Sequence, residues 1–195
     1  MTLMIRRNTT PAANVILNFM KQRTALLVSF FAVFLWADSG AGVKWTPPSN
    51  WKTEGPRPMR LATYAIPAAS GDSGGGECLV NYFGQGQGGS VDANVDRWVS
   101  QFQQANGKPS KDVAKIEKKT VHGMKLTTID VSGAYTGMGG PMAAPGGAPK
   151  AGYRLLGAII EGPQGTVFFK FTGPAKTVGQ NQAAFDKMLT SLGPE

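Results

Sequence analysis

The chain of 195 residues has a formal net charge of +8, one cysteine and one histidine. A single cysteine excludes an internal disulfide, and one histidine with one cysteine cannot supply the usual ligands of a zinc site. Without the first 42 residues the balance is 16 basic against 11 acidic residues, or +5, which is ordinary for solubility and does not require a nucleic-acid partner. We therefore predict a fold stabilised by its own core, without a cofactor or a disulfide.

The first 42 residues have the order of an export signal. A basic segment at residues 20–23 precedes the apolar run 24–36, and the small residues Ser39 and Ala41 follow at signal-peptidase spacing. The run has 13 residues, whereas a stable anchor needs about 20. We expect a cleavable signal peptide over residues 1–42, a true start at Met20, and a periplasmic or secreted protein without a membrane anchor after processing. An uncleaved N-terminal anchor is the alternative.

The predicted mature domain, residues 43–195, begins with short elements divided by Gly and Pro. Residues 43–51 form a proline-broken entry whose two tryptophans cover a sheet edge or, alternatively, form a docking patch. Strands are predicted at 59–66 and 77–83, with a flexible Gly/Ser turn at 69–76. Cys78 lies in the second of these strands and is expected to be a buried thiol.

Residues 90–105 carry the clearest helical pattern. Val91, Val95, Trp98 and Phe102 recur with a period of 3.6 residues, which predicts one apolar stripe against the core. Ser90 is a suitable N-cap, and residues 106–107 (Asn-Gly) are typical of a helix end.

Strands are predicted at residues 113–121, 124–131, 153–161 and 166–171, with a hairpin at 162–165. The alternation slips phase between Leu126 and Ile129, which predicts a bulge. Residues 136–150, rich in Gly, Pro and Met, are expected to form a mobile loop. A helix over residues 174–192 closes the chain.

The order β-β-α-β-β-β-β-α predicts an α+β fold with a mainly antiparallel sheet of about six strands. Residues 153–160 are apolar on both faces apart from Arg154, as in a central strand covered on both sides. One helix on each face follows, which gives an α/β/α sandwich.

The patterns YFG at 82–84, NVDRW at 94–98 and FFKFTGPAKT at 168–177 resemble those of an uncharacterised family of exported bacterial proteins. The order of elements is similar to the PsbP-like fold. The resemblance covers nearly all of the mature domain and implies a non-enzymatic binding or assembly factor. It implies no role for any single residue.

Residues 84–89 (GQGQGG) satisfy the spacing G-x-G-x-x-G between a strand and a helix. This spacing occurs in dinucleotide sites, but the surrounding order is not a repeated βαβ, so a structural glycine turn is favoured. A weaker hypothesis has an anionic group held near Gly86, Gly88 and Gly89 at the helix start, with Arg97 further along.

Other chemistry-bearing residues are sparse. His122 is placed in a turn between two strands (VHG at 121–123), where a role as a hydrolase base is disfavoured. Asp92 and Asp96 are expected to be solvated charges rather than an acid/base pair. Met138 and Met142 suggest Cu(I) binding or a loop that adapts to a partner.

The sequence therefore predicts a non-catalytic extracytoplasmic binding or assembly factor with an unidentified protein partner in the cell envelope. Its expected contact surface combines the glycine turn at 84–89 with the loop at 136–150. The alternatives are a carrier of a small ligand or copper and, third, a hydrolase that uses His122.

Overall fold

The structure is a computed structural model, and it describes residues 37–137 and 148–195. Its helices are α1 (Val91–Val99) and α2 (Ala175–Thr190), with a 3₁₀ turn at Ser110–Asp112. The strands of these residues are β1 (Asp38–Gly40), β2 (Val43–Trp45), β3 (Lys52–Thr53), β4 (Arg60–Ile66), β5 (Gly76–Tyr82), β6 (Phe102–Gln103), β7 (Lys115–Val121), β8 (Met124–Tyr135), β9 (Lys150–Gly162), β10 (Gly165–Pro174) and β11 (Gly193–Pro194).

Eight of these strands form the main sheet in the order β3-β4-β5-β10-β9-β8-β6, with β7 paired to the other end of β8. Strands β1, β2 and β11 form a small second sheet. All pairs between the described strands are antiparallel. The predicted α+β class is confirmed, and the sheet has more strands than the six expected.

Each face of the main sheet packs against one helix. Along β9, Leu156 and Ile160 face a core that includes α2, whereas Leu155 and Ile159 face a core that includes α1. Side chains alternate along a strand, so an uninterrupted apolar run buries both faces at once. The predicted α/β/α sandwich is confirmed.

The core on the α2 side is the larger one. It includes Cys78, Trp45 and Trp51, all nearly inaccessible to solvent. Trp51 packs against Phe171, with ring centroids 5.0 Å apart. The tryptophans are therefore core residues and not a docking patch, and burial raises the pKa of the Cys78 thiol.

The predicted helix at 90–105 is too long. Ser90 does cap α1, because its Oγ accepts the Ala93 N–H at 3.2 Å. The helix ends at Val99, however, and Phe102 lies in β6, opposite Tyr135 of β8. Phe102 fits the helical period and is buried in the α1 core, but pairing with β8 determines its backbone conformation.

The predicted bulge between Leu126 and Ile129 is wrong. β8 pairs with β9 in continuous register there, and the irregularity lies between Gly133 and Tyr135. Leu126 faces the α2 core, whereas Ile129 faces the α1 core. The slip in alternation therefore arises because β8 is buried on both faces, and the strand is regular at this point.

The N-terminal end of the described chain takes part in the fold. Strand β1 lies within residues 1–42, the predicted leader, and pairs with β2. Tyr64 Oη donates a hydrogen bond to Asp38 and accepts one from Trp45 Nε1 at 2.7 Å. Residues 1–36, with most of the predicted signal, lie outside the described residues. Neither described helix is long and apolar enough to cross a bilayer.

Candidate functional site

The described residues cover the α1 face of the sheet only in part. A helix of nine residues is about 14 Å long, and its core contacts are with β8, β9 and β10, through residues such as Ile129, Leu155 and Phe168. The same face of β4 and β5 lies beyond its reach. The longer helix predicted from the sequence would have hidden more of this surface.

Two adjoining cavities occupy the uncovered area, and we call them together the groove. The helix cavity, of about 360 Å³, lies beside α1 and is lined by residues that include Met59, Arg60, Phe83, Arg97, Trp98 and Phe168. The strand cavity, of about 440 Å³, is lined by residues that include Glu77, Lys150, Tyr153 and Thr172. Leu79, Tyr135 and Lys170 line both cavities.

Lys170 is the central charge of the groove. It lies in β10, a central strand, on the face opposite Phe169 and Phe171, which belong to the α2 core. Its Nζ donates to Gln101 Oε1 at 2.6 Å and to Tyr135 Oη at 3.3 Å. Burial, together with the positive charge of Arg97, lowers the pKa of Lys170 to about 8, whereas Glu77 acts in the opposite direction.

An ammonium group has three N–H donors. Among the described residues, the hydrogen bonds of Lys170 use two of them, and both acceptors are neutral. Burial raises the pKa of the Tyr135 hydroxyl, so this phenol stays uncharged beside the ammonium. The floor of the groove therefore carries a positive charge whose hydrogen-bonding partners supply no negative charge.

Aromatic rings form one wall of the strand cavity. The Tyr135 and Tyr153 rings are parallel to within 4°, with centroids 5.9 Å apart. Lys150 Nζ lies 5.5 Å from the Tyr153 ring centroid, and Lys170 Nζ lies 5.4 Å from that of Tyr135. Both cations are at the distance of a cation–π contact, so the wall offers flat apolar surfaces beside positive charge.

The glycine turn positions the other side of the groove. The buried Asn94 donates through Nδ2 to the carbonyl oxygens of Gly88 and Ser90, at 2.8 and 2.9 Å, and its Oδ1 accepts a hydrogen bond from Arg97. At Gly88, with φ 92°, a Cβ would lie 3.0 Å from the rings of Phe83 and Phe168. Gly88 is therefore required by packing, and the turn fixes both α1 and Arg97.

The structure separates the residues predicted for the site. Arg97 lines the helix cavity, and Gly88 lies beneath its aromatic wall. Gly86 and Gly89 have positive φ values in the same turn, as a structural glycine turn requires, and do not line the groove. Met138 and Met142 lie outside the described residues.

The two predicted contact loops flank the same groove. Phe83, which precedes the glycine turn, lines the helix cavity, and Lys150, which ends the predicted loop, lines the strand cavity. Lys150 belongs to β9, so that end of the predicted loop is a strand. Residues 138–147 lie outside the described residues.

The remaining chemical candidates have structural partners. His122 adopts a left-handed conformation, with φ 46°, and its Nδ1 lies 2.6 Å from the carbonyl oxygen of Leu192. Asp92 and Asp96 pair with the exposed Lys118 and Lys111 at 3.1 and 3.0 Å. Within residues 37–137 and 148–195, no group of three His, Cys, Asp or Glu side chains is placed to hold a metal ion.

Lys170 and Tyr135 were not among the predicted site residues. A signal for Lys170 was present, because a lysine inside the aromatic run 168–171 (FFKF) of a central strand is unusual. Tyr135 had no such signal, since only the extension of β8 beyond residue 131 brings it to the groove.

No family model and no curated protein sequence matches this chain. Among solved structures, it is similar to the solution structure of cyanobacterial PsbP (CyanoP) from Synechocystis, with 11% identity and a TM-score of 0.48 over 82% of this chain and 91% of that chain. It is also similar to the crystal structure of a protein of unknown function from Pseudomonas aeruginosa, with 11% identity and a TM-score of 0.45 over 82% and 96% of the two chains. The predicted resemblance to the PsbP fold has a counterpart among solved structures, and neither match bears on function.

Proposed function

We propose that this chain is a non-catalytic protein that acts outside the cytoplasm and binds a partner protein through the groove. The observation that carries the proposal is the Lys170 ammonium on the groove floor, whose hydrogen bonds within the described residues go to two neutral oxygens. A buried charge is costly unless it is paired. A partner that brings an acceptor to Lys170 would reduce this cost.

The rim of the groove supports a protein partner. Met59 is 68% exposed and Phe83 is 38% exposed, although both are large and apolar. Both line the helix cavity, together with the rings of Trp98 and Phe168. Exposed apolar and aromatic residues around a recess are typical of protein contact sites.

The non-catalytic part of the proposal rests on how the reactive side chains are used. The His122 ring is engaged by a main-chain carbonyl group. The Cys78 thiol lies inside the α2 core, where its raised pKa keeps it protonated and unreactive. Neither side chain lines the groove.

Site-specific photocrosslinking in the native host tests the proposal. A benzophenone amino acid placed at Met59, on the groove rim, is expected to give a discrete adduct in the cell-envelope fraction. The control is Ile116, which is also apolar and exposed, at 38%, but lies on the edge strand β7. Equal adducts at both positions, or none at Met59, would contradict the proposal.

A small-molecule carrier is the second candidate, because both cavities fall within the range of about 300–1,000 Å³ that is typical of ligand pockets. Calorimetric titration with benzoate and other small carboxylates tests this alternative. Heat that disappears in the Lys170→Gln variant, without a crosslink at Met59, would favour a carrier. The copper hypothesis concerns Met138 and Met142 and stays a separate prediction for titration with Cu(I).

A further inference from the structure

The charges that line the groove are unbalanced. Arg60, Arg97, Lys150 and Lys170 are cationic, and Glu77 is the one carboxylate among the described lining residues. Arg60 Nη1 lies 3.7 Å from Glu77 Oε1, which pairs these two charges. Three positive charges then remain along the groove without a carboxylate from its lining.

Apolar surface lies directly beside these charges. In the helix cavity, Leu79, Phe83 and Phe168 stand next to Arg97 and Lys170. This cavity exposes mainly apolar atoms, and Lys170 lies where it meets the strand cavity. A ligand that matches both parts carries an apolar side chain with negative charge next to it.

We infer that the groove recognises an acidic segment of the partner protein in which a carboxylate stands next to an aromatic or large aliphatic side chain. The inference rests on the proposed function and specifies its partner. The apolar side chain enters the helix cavity beside Trp98. The carboxylate accepts from Arg97 and from the N–H of Lys170 that has no acceptor among the described residues.

The placement of the cations favours a peptide segment over a membrane or a nucleic acid. A lipid surface or a phosphate backbone contacts lysine and arginine side chains that project freely into solvent. The exposed lysines Lys111 and Lys118 are already paired with aspartates. Lys170 instead lies at the floor of a recess, where only a single inserted group reaches it.

Three end-blocked peptides test the inference against the purified full chain: GSFEESG, GSFQQSG and GSSEESG. Binding is followed through the amide chemical shifts of the ¹⁵N-labelled protein. We expect the first peptide to shift groove residues and to bind at least about tenfold more tightly than the other two, because hydrogen bonds to charged groups are the stronger ones. We also expect its affinity to fall as salt is added.

Two groove variants and one control complete the test. Lys170→Gln and Arg97→Gln should each weaken binding of GSFEESG about tenfold, whereas Lys118→Gln, on the exposed edge strand, should leave binding unchanged. Arg97 is exposed, so its variant is informative even if Lys170→Gln fails to fold. Equal binding of GSFEESG and GSFQQSG would overturn the inference, as would shifts confined to β7.

Failure of this inference is distinguishable from failure of the proposed function. A crosslink at Met59 with no preference for acidic peptides would support a partner protein and contradict its acidic segment. Absence of the crosslink would remove the partner itself. Phosphatidylglycerol vesicles are the last probe. If they bind through Lys170 and Arg97 and GSFEESG does not compete, the ligand is a membrane surface and the inference of a peptide segment is overturned.

Discussion

Two cations lie in the sheet, one on each face, and they differ in the charge of their hydrogen-bond acceptors. On the α2 face, Arg154 donates to both oxygens of Asp130, at 2.8 and 2.7 Å, and to Gln182 of α2 at 2.9 Å. On the α1 face, Lys170 donates to an amide and a phenol oxygen. The hydrogen bonds that Arg154 donates to Asp130 raise the pKa of Arg154, whereas burial lowers that of Lys170.

The same contrast holds for the helices. α2 has 16 residues and covers its face of the sheet through a core that includes Tyr64 and Leu192. α1 has nine residues and leaves part of its face open. On the α2 face, Arg154 is paired with a carboxylate of the same face. On the α1 face, Lys170 carries its positive charge into the groove. A cation with an internal carboxylate serves stability, whereas one without it is available to a ligand.

The largest effect expected from this contrast is on stability. Arg154→Met leaves Asp130, 27% exposed at its side chain, without its partner, and we expect a loss of about 2–4 kcal/mol in the free energy of unfolding. Lys170→Met removes a charge that is costly to bury and has no carboxylate partner in its hydrogen bonds, so we expect a change within about 1 kcal/mol. Urea denaturation of the two variants measures both values.

The double variant Arg154→Met/Asp130→Leu provides the control for this comparison. Removing both partners of a pair should recover part of the stability that removing one loses. If Lys170→Met were as destabilising as Arg154→Met, Lys170 would be a structural residue, and the distinction between the two faces would be lost.

A smaller effect is expected where α1 contacts the sheet. At Gly157 of β9, an added Cβ would lie 2.7 Å from the Trp98 ring and 3.2 Å from Ile129 Cδ1. We expect Gly157→Ala to cost about 1–3 kcal/mol through overpacking and to displace Trp98. Displacement would change Trp98 fluorescence and weaken binding of the acidic peptide.

Gly55→Ala is the matched control, since an added Cβ there would meet nothing within 4 Å. We expect its stability to change by less than about 1 kcal/mol. Equal effects of the two substitutions would show that α1 does not press on Gly157, and that its position is not set by this contact.

The sequence predicted most of the fold because its local patterns and its tertiary packing agree. Strand alternation, the Ser90 cap and the doubly apolar strand β9 each depend on neighbouring residues. The predicted end of the first helix is wrong at Phe102, because this residue fits the helical stripe but pairs with Tyr135 in the sheet. Pairing across 33 positions of the chain is not visible in a local period.

The groove was missed for the same reason. A helix of the predicted length would have extended further over the sheet, whereas α1 ends at Val99, and Arg97 and Trp98 near that end line the helix cavity. The glycine turn was found, and its link to Arg97 through Asn94 was not, because it depends on side-chain hydrogen bonds. Sequence patterns therefore located the edges of the site better than its floor.

The last effect expected concerns pH. The pKa of Lys170 is lowered to about 8 in the folded protein, first by burial and then by Arg97, with Glu77 opposing, from an ordinary value of 10.5. Between pH 8 and 10.5 the unfolded chain binds more protons than the folded one, so this group makes stability rise with pH in that window. Wild type should gain stability relative to Lys170→Met between pH 8 and 10.5, whereas binding of an acidic peptide should weaken as the ammonium loses its proton.

An NMR titration of Lys170 measures the pKa directly, and Arg97→Gln should raise this pKa. A pKa near 10.5 in both proteins would show that Lys170 is solvated like a surface lysine, and the open face would then hold no charge in need of a partner.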